Sequence, residues 1–151
     1  MNYVSLDTGP IVEYADLAGP FHRQMEAIIR RVVAGKLTAI VPHPVLAETY
    51  YVSFRIYEKL GLDRPEERSA KLIEWLYHSP NFLIAESSLQ LAKMAGQIKK
   101  DYGLALTDCY VIAASKHRRG RALFRAKETE MKRNISRLTK SYEIIFLEDY
   151  A

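Results

Sequence analysis

Tyr3-Val4-Ser5-Leu6-Asp7-Thr8-Gly9-Pro10-Ile11-Val12 decides how the chain is read, because it is an extended run that delivers a carboxylate and turns at once into a helix. Val4 and Leu6 suit a buried strand. Gly9-Pro10 punctuates a turn and a helix start, with Pro10 in a first turn where its missing N–H costs no hydrogen bond. Asp7 is therefore expected at the C-terminal end of a first strand. In an open parallel α/β sheet that edge is where ligands bind. The same position also suits a helix cap, and the stretch by itself leaves both readings open.

Outward from this start, helical and β-rich runs alternate. Ile11 to Leu17 reads as a short helix broken by Gly19-Pro20. Phe21 to Ala34 reads as a second, with Met25, Ile28, Ile29, Val32 and Val33 at helical spacing and Gly35 behind it. Leu37 to Val41 predicts the second strand, stopped by Pro42, and His43 to Leu60 a long helix closed by Gly61. A helix opening near Asp63-Arg64-Pro65-Glu66 runs toward Pro80, and its Trp75 is expected to pack. Asn81 to Ala85 is the third strand. Ser87 is placed to cap a helix reaching Tyr102, Thr107-Asp108 opens another, and Arg121 to Arg125 is a fourth strand. Lys127 to Leu138 is helical, and Glu143 to Leu147 is the last strand. Such alternation predicts an α/β domain with a mostly parallel sheet of about five strands and helices on both faces.

Length and composition agree with a single domain over residues 1–151. At 48% hydrophobic and 26% charged residues, the chain matches an ordinary globular protein. No signal peptide or bilayer-length apolar run is seen, so a cytoplasmic, membrane-free protein is expected. The one cysteine, Cys109, excludes an internal disulfide and a multi-cysteine zinc site, and it reads as a small buried hydrophobe. The net charge of +4 conceals an asymmetry: Lys116 to Lys140 holds ten Lys or Arg against Glu128 and Glu130, leaving the remainder at −4. Such a block is the footprint expected for a polyanion partner, phosphate backbones first among them. An ordinary solvated helix face is the competing explanation.

Three acids fall at comparable positions: Asp7 after strand one, Glu48 early in the helix after strand two, and Asp108 at the start of another helix. A doubly wound sheet can bring all three to one edge. Clustered carboxylates raise one another's pKa, and a cation relieves the repulsion. Hard oxygen donors select Mg²⁺ or Mn²⁺, and magnesium typically takes one or two carboxylates together with substrate phosphates. That is the arrangement of metal-assisted phosphodiester cleavage.

At these residues the chain resembles the PIN-domain ribonucleases and, within them, the VapC-type toxins of toxin-antitoxin pairs. The resemblance rests on Leu6-Asp7-Thr8, on Val45-Leu46-Ala47-Glu48, and on the most specific motif, Leu104-Ala105-Leu106-Thr107-Asp108-Cys109-Tyr110-Val111-Ile112-Ala113-Ala114. It implies a PIN-like fold and a Mg²⁺- or Mn²⁺-dependent endoribonuclease in which Asp7, Glu48 and Asp108 are catalytic and bind metal, one helping to activate the attacking water. A homodimer and a neutralising antitoxin are implied as well. Family members commonly place Thr-x-Asp after the fourth strand, where this chain has Phe124-Arg125-Ala126, so Glu128 or Glu130 is the candidate substitute. Thr8 and Thr107 are expected to orient the acids or their waters. Arg125, Lys127, Arg118 and Arg119 are the candidate RNA contacts.

Other chemistries fit less well. His22, His43, His78 and His117 are scattered without a His-Glu-x-x-His spacing, and the seven glycines form neither a P-loop nor a dinucleotide fingerprint. A haloacid-dehalogenase-type phosphotransferase would want a second Asp where Gly9 stands. A phosphorylated receiver domain has no further support. The altered region after strand four keeps a second reading open, a catalytically degenerate RNA-binding or protein-interaction module on the same fold.

Overall fold

Short runs rich in Val, Ile, Leu and Phe form the strands, and longer segments with apolar residues every three or four positions form the helices between them. A computed structural model describes residues 2–150. In chain order the elements are β1 (Tyr3–Leu6), α1 (Thr8–Ala15), α2 (His22–Val33), β2 (Thr38–Pro42), α3 (His43–Lys59), α4 (Pro65–His78) and β3 (Phe82–Ala85). They continue with α5 (Leu89–Tyr102), α6 (Leu106–His117), β4 (Arg121–Phe124), α7 (Thr129–Ser141) and β5 (Ile144–Phe146), closing on a 3-10 turn at Leu147–Tyr150. The five strands are all parallel, in the order β3-β2-β1-β4-β5. The expected α/β architecture is the one observed.

That order carries a direction. From β1 the chain steps outward to β2 and β3, then crosses back to β4 and β5 on the other side of β1. Right-handed crossovers put α1–α4 on one face and α5–α7 on the other. The contacts agree: α1 touches α2 and α3, α3 touches α4, and α5 touches α6 and α7. α6 is the most enclosed helix, with Cys109 and Val111 to Ser115 all buried against β1, β2 and β4. Burial raises the Cys109 thiol to about 11, so it stays a neutral hydrophobe, as expected. Trp75 also packs as expected, stacked on Tyr14 of α1 at 5.5 Å and tilted against Phe82 of β3 at 5.1 Å.

Several boundaries differ from those expected. α1 begins at Thr8 and ends at Ala15, taking Gly9 and Pro10 into its first turn. β2 starts at Thr38 rather than Leu37 and includes Pro42, because Pro42 is in register with Ala85 of β3 while β1 offers it no partner. Ser88, not Ser87, caps α5, its hydroxyl accepting the Leu91 N–H at 3.1 Å. α7 starts two residues later than Lys127 and runs on to Ser141, so the basic block follows one helix for longer than its apolar pattern indicates.

Candidate active site

β1 and β4 are neighbours at the centre of the sheet, yet the helices that follow them lie on opposite faces. A crevice opens at such a switch point, outside the carboxyl ends of the strands. Asp7 leaves β1 there, its N–H donating to the Leu123 carbonyl at 3.1 Å. Phe124-Arg125-Ala126 leaves β4 beside it. A cleft of about 490 Å³ sits at this place, lined among others by Asp7, Thr8, Glu48, Asp108, Arg125 and Glu128. The structure thus brings the three expected acids together and adds Glu128 as a fourth. Asp7 occupies the N-cap position of α1, but its side chain makes no capping hydrogen bond. Its carboxylate still feels the Thr8 and Gly9 N–H groups, so the N-cap position and the cleft position coincide in Asp7.

The electrostatics follow from crowding. Burial raises the Asp7 carboxyl to about 6; the backbone N–H groups of Thr8 and Gly9 pull it down, while Glu48 and Glu128 push it further up. Asp108 is raised to about 7, first by burial and then by Asp7, Glu128, Glu48 and Glu130. Asp108 lies in the first turn of α6, where the helix dipole favours an anion by only about 0.3–1 kcal/mol. A rise of about three pKa units outweighs that, at about 1.4 kcal/mol per unit. Glu130 acts on Asp108 through its charge without lining the cleft.

A residue that sequence reasoning missed holds the rim. Glu13 of α1 is 5% exposed and faces the cleft. One carboxylate oxygen accepts from Arg125 Nε at 2.5 Å, and the other accepts the Phe21 N–H at 3.1 Å. The Arg125 guanidinium lies 5.1 Å from the centre of the Phe21 ring. Arg125 is the one cation among the residues lining this cleft. Gly9 and Gly19 leave room for the arrangement: a Cβ on Gly9 would stand 2.8 Å from Arg125 Cβ, and one on Gly19 would meet the Glu13 carboxylate. Glu13 sits inside the apolar run Ile11-Val12-Glu13-Tyr14-Ala15, an anomaly that could have flagged it. Its partner lies 112 residues away, which no local pattern reveals.

The remaining expected contacts fall elsewhere. Lys127 is held by Asp149 at 2.8 Å and Glu148 at 3.5 Å, over the Phe146 ring. Arg118 and Arg119 follow α6 and precede β4, at the opposite edge of the sheet from the acids, with Arg118 stacked over Tyr3. Thr107 is in the first turn of α6 but does not line the cleft.

Two observations bear on a cation. Asp7 Oδ1 and Thr8 Oγ1 are buried and lack any hydrogen-bond partner, a condition native structures rarely leave unanswered. The donors in the cleft are hard oxygens, the type that suits Mg²⁺ or Mn²⁺. Among the described residues no three His, Cys, Asp or Glu side chains are drawn together tightly enough to hold an ion as placed. Mutual repulsion spreads such groups, and magnesium needs only one or two direct carboxylates with waters completing its shell. The residues therefore fit a hydrated divalent ion and offer nothing to a thiolate or imidazole metal.

Comparison with known proteins places this geometry. No curated protein matches the chain in sequence. Solved structures do match in fold. VapBC2 from Rickettsia felis, bound to a DNA fragment from its promoter, has a TM-score of 0.64 at 13% identity, covering 95% of this chain and 98% of that one. VapC20 of Mycobacterium tuberculosis, a Sarcin-Ricin loop cleaving toxin, gives 0.61 at 15%, covering 79% and 86%. FitAcB from Neisseria gonorrhoeae gives 0.61 at 18%, covering 96% and 98%. The PIN domain model matches residues 4–134, a span that runs from β1 to the middle of α7 and includes every acid of the cleft. With the acids gathered at the switch point of a five-stranded parallel sheet, the chain belongs to the PIN-domain family.

Proposed function

We propose that this protein is a Mg²⁺- or Mn²⁺-dependent endoribonuclease, the toxin of a toxin-antitoxin pair. The observation that carries the catalytic part is the convergence of Asp7, Glu48, Asp108 and Glu128 on one cleft, Asp7 and Asp108 raised to about 6 and about 7 first by burial and then by neighbouring carboxylates. The antitoxin part draws on the toxin-antitoxin complexes that share the fold. A divalent ion bound among these acids supplies positive charge to a displacement at phosphorus.

The chain's own residues divide the remaining work. Asp7 and Asp108, the most perturbed pair, are the residues that would hold such an ion, through deprotonated carboxylate oxygens. Glu48 and Glu128 flank them from α3 and from the start of α7, and Glu128 takes the place of the family's fourth acid. Thr8 Oγ1, unpartnered beside Asp7, orients a water. Arg125, fixed through Nε by Glu13, turns its terminal nitrogens to a phosphate oxygen. The apolar wall formed by half-buried Val12 and Val52 with buried Phe124 limits competing water.

The test is cleavage of a mixed pool of labelled structured RNAs in Mg²⁺ or Mn²⁺, with EDTA and Asp7→Asn in parallel. Cutting is expected in metal alone, with Asp7→Asn slower by about a hundredfold or more. RNA that is bound yet stays intact with either metal would overturn the catalytic assignment. It would leave the binding module, which the Phe124-Arg125-Ala126 segment favours.

A further inference from the structure

The exposed cations of α7 and those of the groove beyond it form one surface joined at Lys140, and only the start of α7 touches the cleft. α7 leaves the cleft at Glu128 and runs for 13 residues, about 20 Å, back to the opposite edge of the sheet. At about 100° per residue, Lys132, Arg133, Arg137 and Lys140 fall within an arc of about 140°, and all four are exposed. Lys132, Arg133 and Lys140 have no acid, carbonyl or ring partner among the described residues. Arg137 lies 4.9 Å from the Tyr102 ring centre and reaches Asn134 Oδ1 at 3.3 Å. The nearby acids are few: Glu130 in the first turn, Asp101 beside Arg137, and Glu143 at the far end.

The helix then delivers its charge into a groove. This groove, about 510 Å³, is lined by Lys116, Arg119, Lys140 and Tyr142 among others, and it shares Arg119, Gly120 and Glu143 with a second of about 250 Å³ containing Arg31 and Arg121. Lys116 is pinned over the Tyr142 ring at 5.9 Å with its ammonium on the Ser141 carbonyl at 3.2 Å. Glu143 is the one acid lining either groove, and Arg121 already pairs with it at 3.3 Å.

An ordinary solvated helix face mixes signs, because opposite charges at i, i+4 stabilise it by about 0.2–0.5 kcal/mol per pair and like charges cost a similar amount. α7 instead puts Arg133 and Arg137 at i, i+4 and Arg137 and Lys140 at i, i+3. A polyanion laid along the face removes that repulsion.

We propose that the exposed face of α7 from Lys132 to Lys140, with the groove beside Lys116 and Arg119, is a track for the phosphate backbone of a folded RNA. The track fits an RNA longer than the cleft alone can hold, and its link to cleavage rests on the nuclease reading of that cleft. Forked arginine side chains at Arg133, Arg137 and Arg119 suit phosphate oxygens, and the salt dependence of binding then arises mainly here rather than at the acids.

The experiment measures binding of a labelled hairpin RNA to the full protein in EDTA between 50 and 200 mM salt, and cleavage in Mn²⁺ of that hairpin and of a short single-stranded oligomer. The variant Lys132→Ser/Arg133→Ser/Lys140→Ser removes three exposed side chains that have no acid, carbonyl or ring partner among the described residues. It is expected to weaken hairpin binding about tenfold at low salt and to reduce the log–log salt slope by about 2 to 3. Cleavage of the short oligomer should be unchanged, and the charge-preserving variant Lys132→Arg/Arg133→Lys/Lys140→Arg should bind like the parent. An unchanged salt slope in the serine variant overturns the track. So does loss of binding to a polyglutamate peptide without loss of RNA binding, which would reassign the face to an acidic protein. If the slope falls as expected but the parent cuts neither RNA, the track stands and the nuclease reading fails.

Discussion

Arg125 stands where the family commonly carries a Thr-x-Asp motif, and Glu13 is what gives it a fixed place. The pair is asymmetric in exposure, 6% for the Glu13 side chain and 44% for Arg125, so solvent screens it in part and its net worth is modest. Glu13→Gln keeps only one acceptor oxygen, so either Arg125 Nε or the Phe21 N–H is left facing an amide NH2, and the change is expected to cost about 1–3 kcal/mol of stability. Cleavage should show a several-fold higher KM with kcat near the parent value. A lowered melting temperature with KM unchanged would reduce Glu13 to a structural role. The acids predict a pH dependence of the opposite sense to that of ordinary carboxylates. Asp7 and Asp108 have folded pKa values, about 6 and about 7, above the unfolded value near 4, so the metal-free fold binds more protons than the unfolded chain in that window. Stability in EDTA should therefore fall as pH rises from about 4 to 8, by on the order of 7 kcal/mol. Asp108→Asn should flatten most of that slope while abolishing the rise in melting temperature on adding Mn²⁺ at pH 8. Thermal melts at pH 5 and 8, with and without metal, check both; a parent curve in EDTA that is flat over this range would refute the crowding argument.

Two elements show how the site depends on close backbone approach. Gly120 brings the α6–β4 turn down onto β1, where an added Cβ would stand 2.5 Å from the Tyr3 carbonyl oxygen and 2.7 Å from Tyr3 Cβ. Neither atom is the end of a flexible side chain, so the strand ends must separate. Gly120→Ala is expected to destabilise the fold by about 1–3 kcal/mol in urea unfolding, the range of other overpacking changes. It should also weaken cleavage, since β1 and β4 carry Asp7 and Arg125 from the same pairing. At the cap of α5 the change is milder. Ser88→Ala removes the hydroxyl that accepts from Leu91 and should cost about 1 kcal/mol, whereas Ser87→Ala should cost almost nothing. Equal losses at the two serines would contradict the observed cap.

Across the whole molecule, charge is separated along the strand direction. The C-terminal edge of the sheet gathers Asp7, Glu13, Glu48, Asp108 and Glu128 around Arg125; the opposite edge gathers Arg31, Lys116, Arg119 and Arg121 around Glu143. Such a separation favours a polyanion at one edge and a cation at the other, and the two effects have different salt dependence. Raising salt should slow cleavage of long RNA far more than it weakens Mn²⁺-induced stabilisation, which initial rates and thermal melts across a salt series would compare. Among the described residues no helix is long and apolar enough to cross a membrane.

The alternation of strands and helices, the parallel sheet and the places of Asp7, Glu48 and Asp108 were legible in the sequence. Those features depend on apolar periodicity and on Gly and Pro punctuation, which act within a few residues of chain. Ser88 in place of Ser87 was a matter of one residue, decided by which hydroxyl meets the first turn of α5. What lay beyond local pattern is long-range: the Glu13–Arg125 pair spans 112 residues, and Glu128 joins the acids only because the segment leaving β4 turns into α7 at the cleft. The basic block is the clearest case. Its composition suggested a polyanion partner beside the alternative of an ordinary solvated face, but its place could not be read, since a run of cations carries no direction until a helix is docked. Tertiary structure alone decided that α7 points the block away from the acids and toward the far edge of the sheet, because strand order and crossover hand, not residue type, determine where a helix ends.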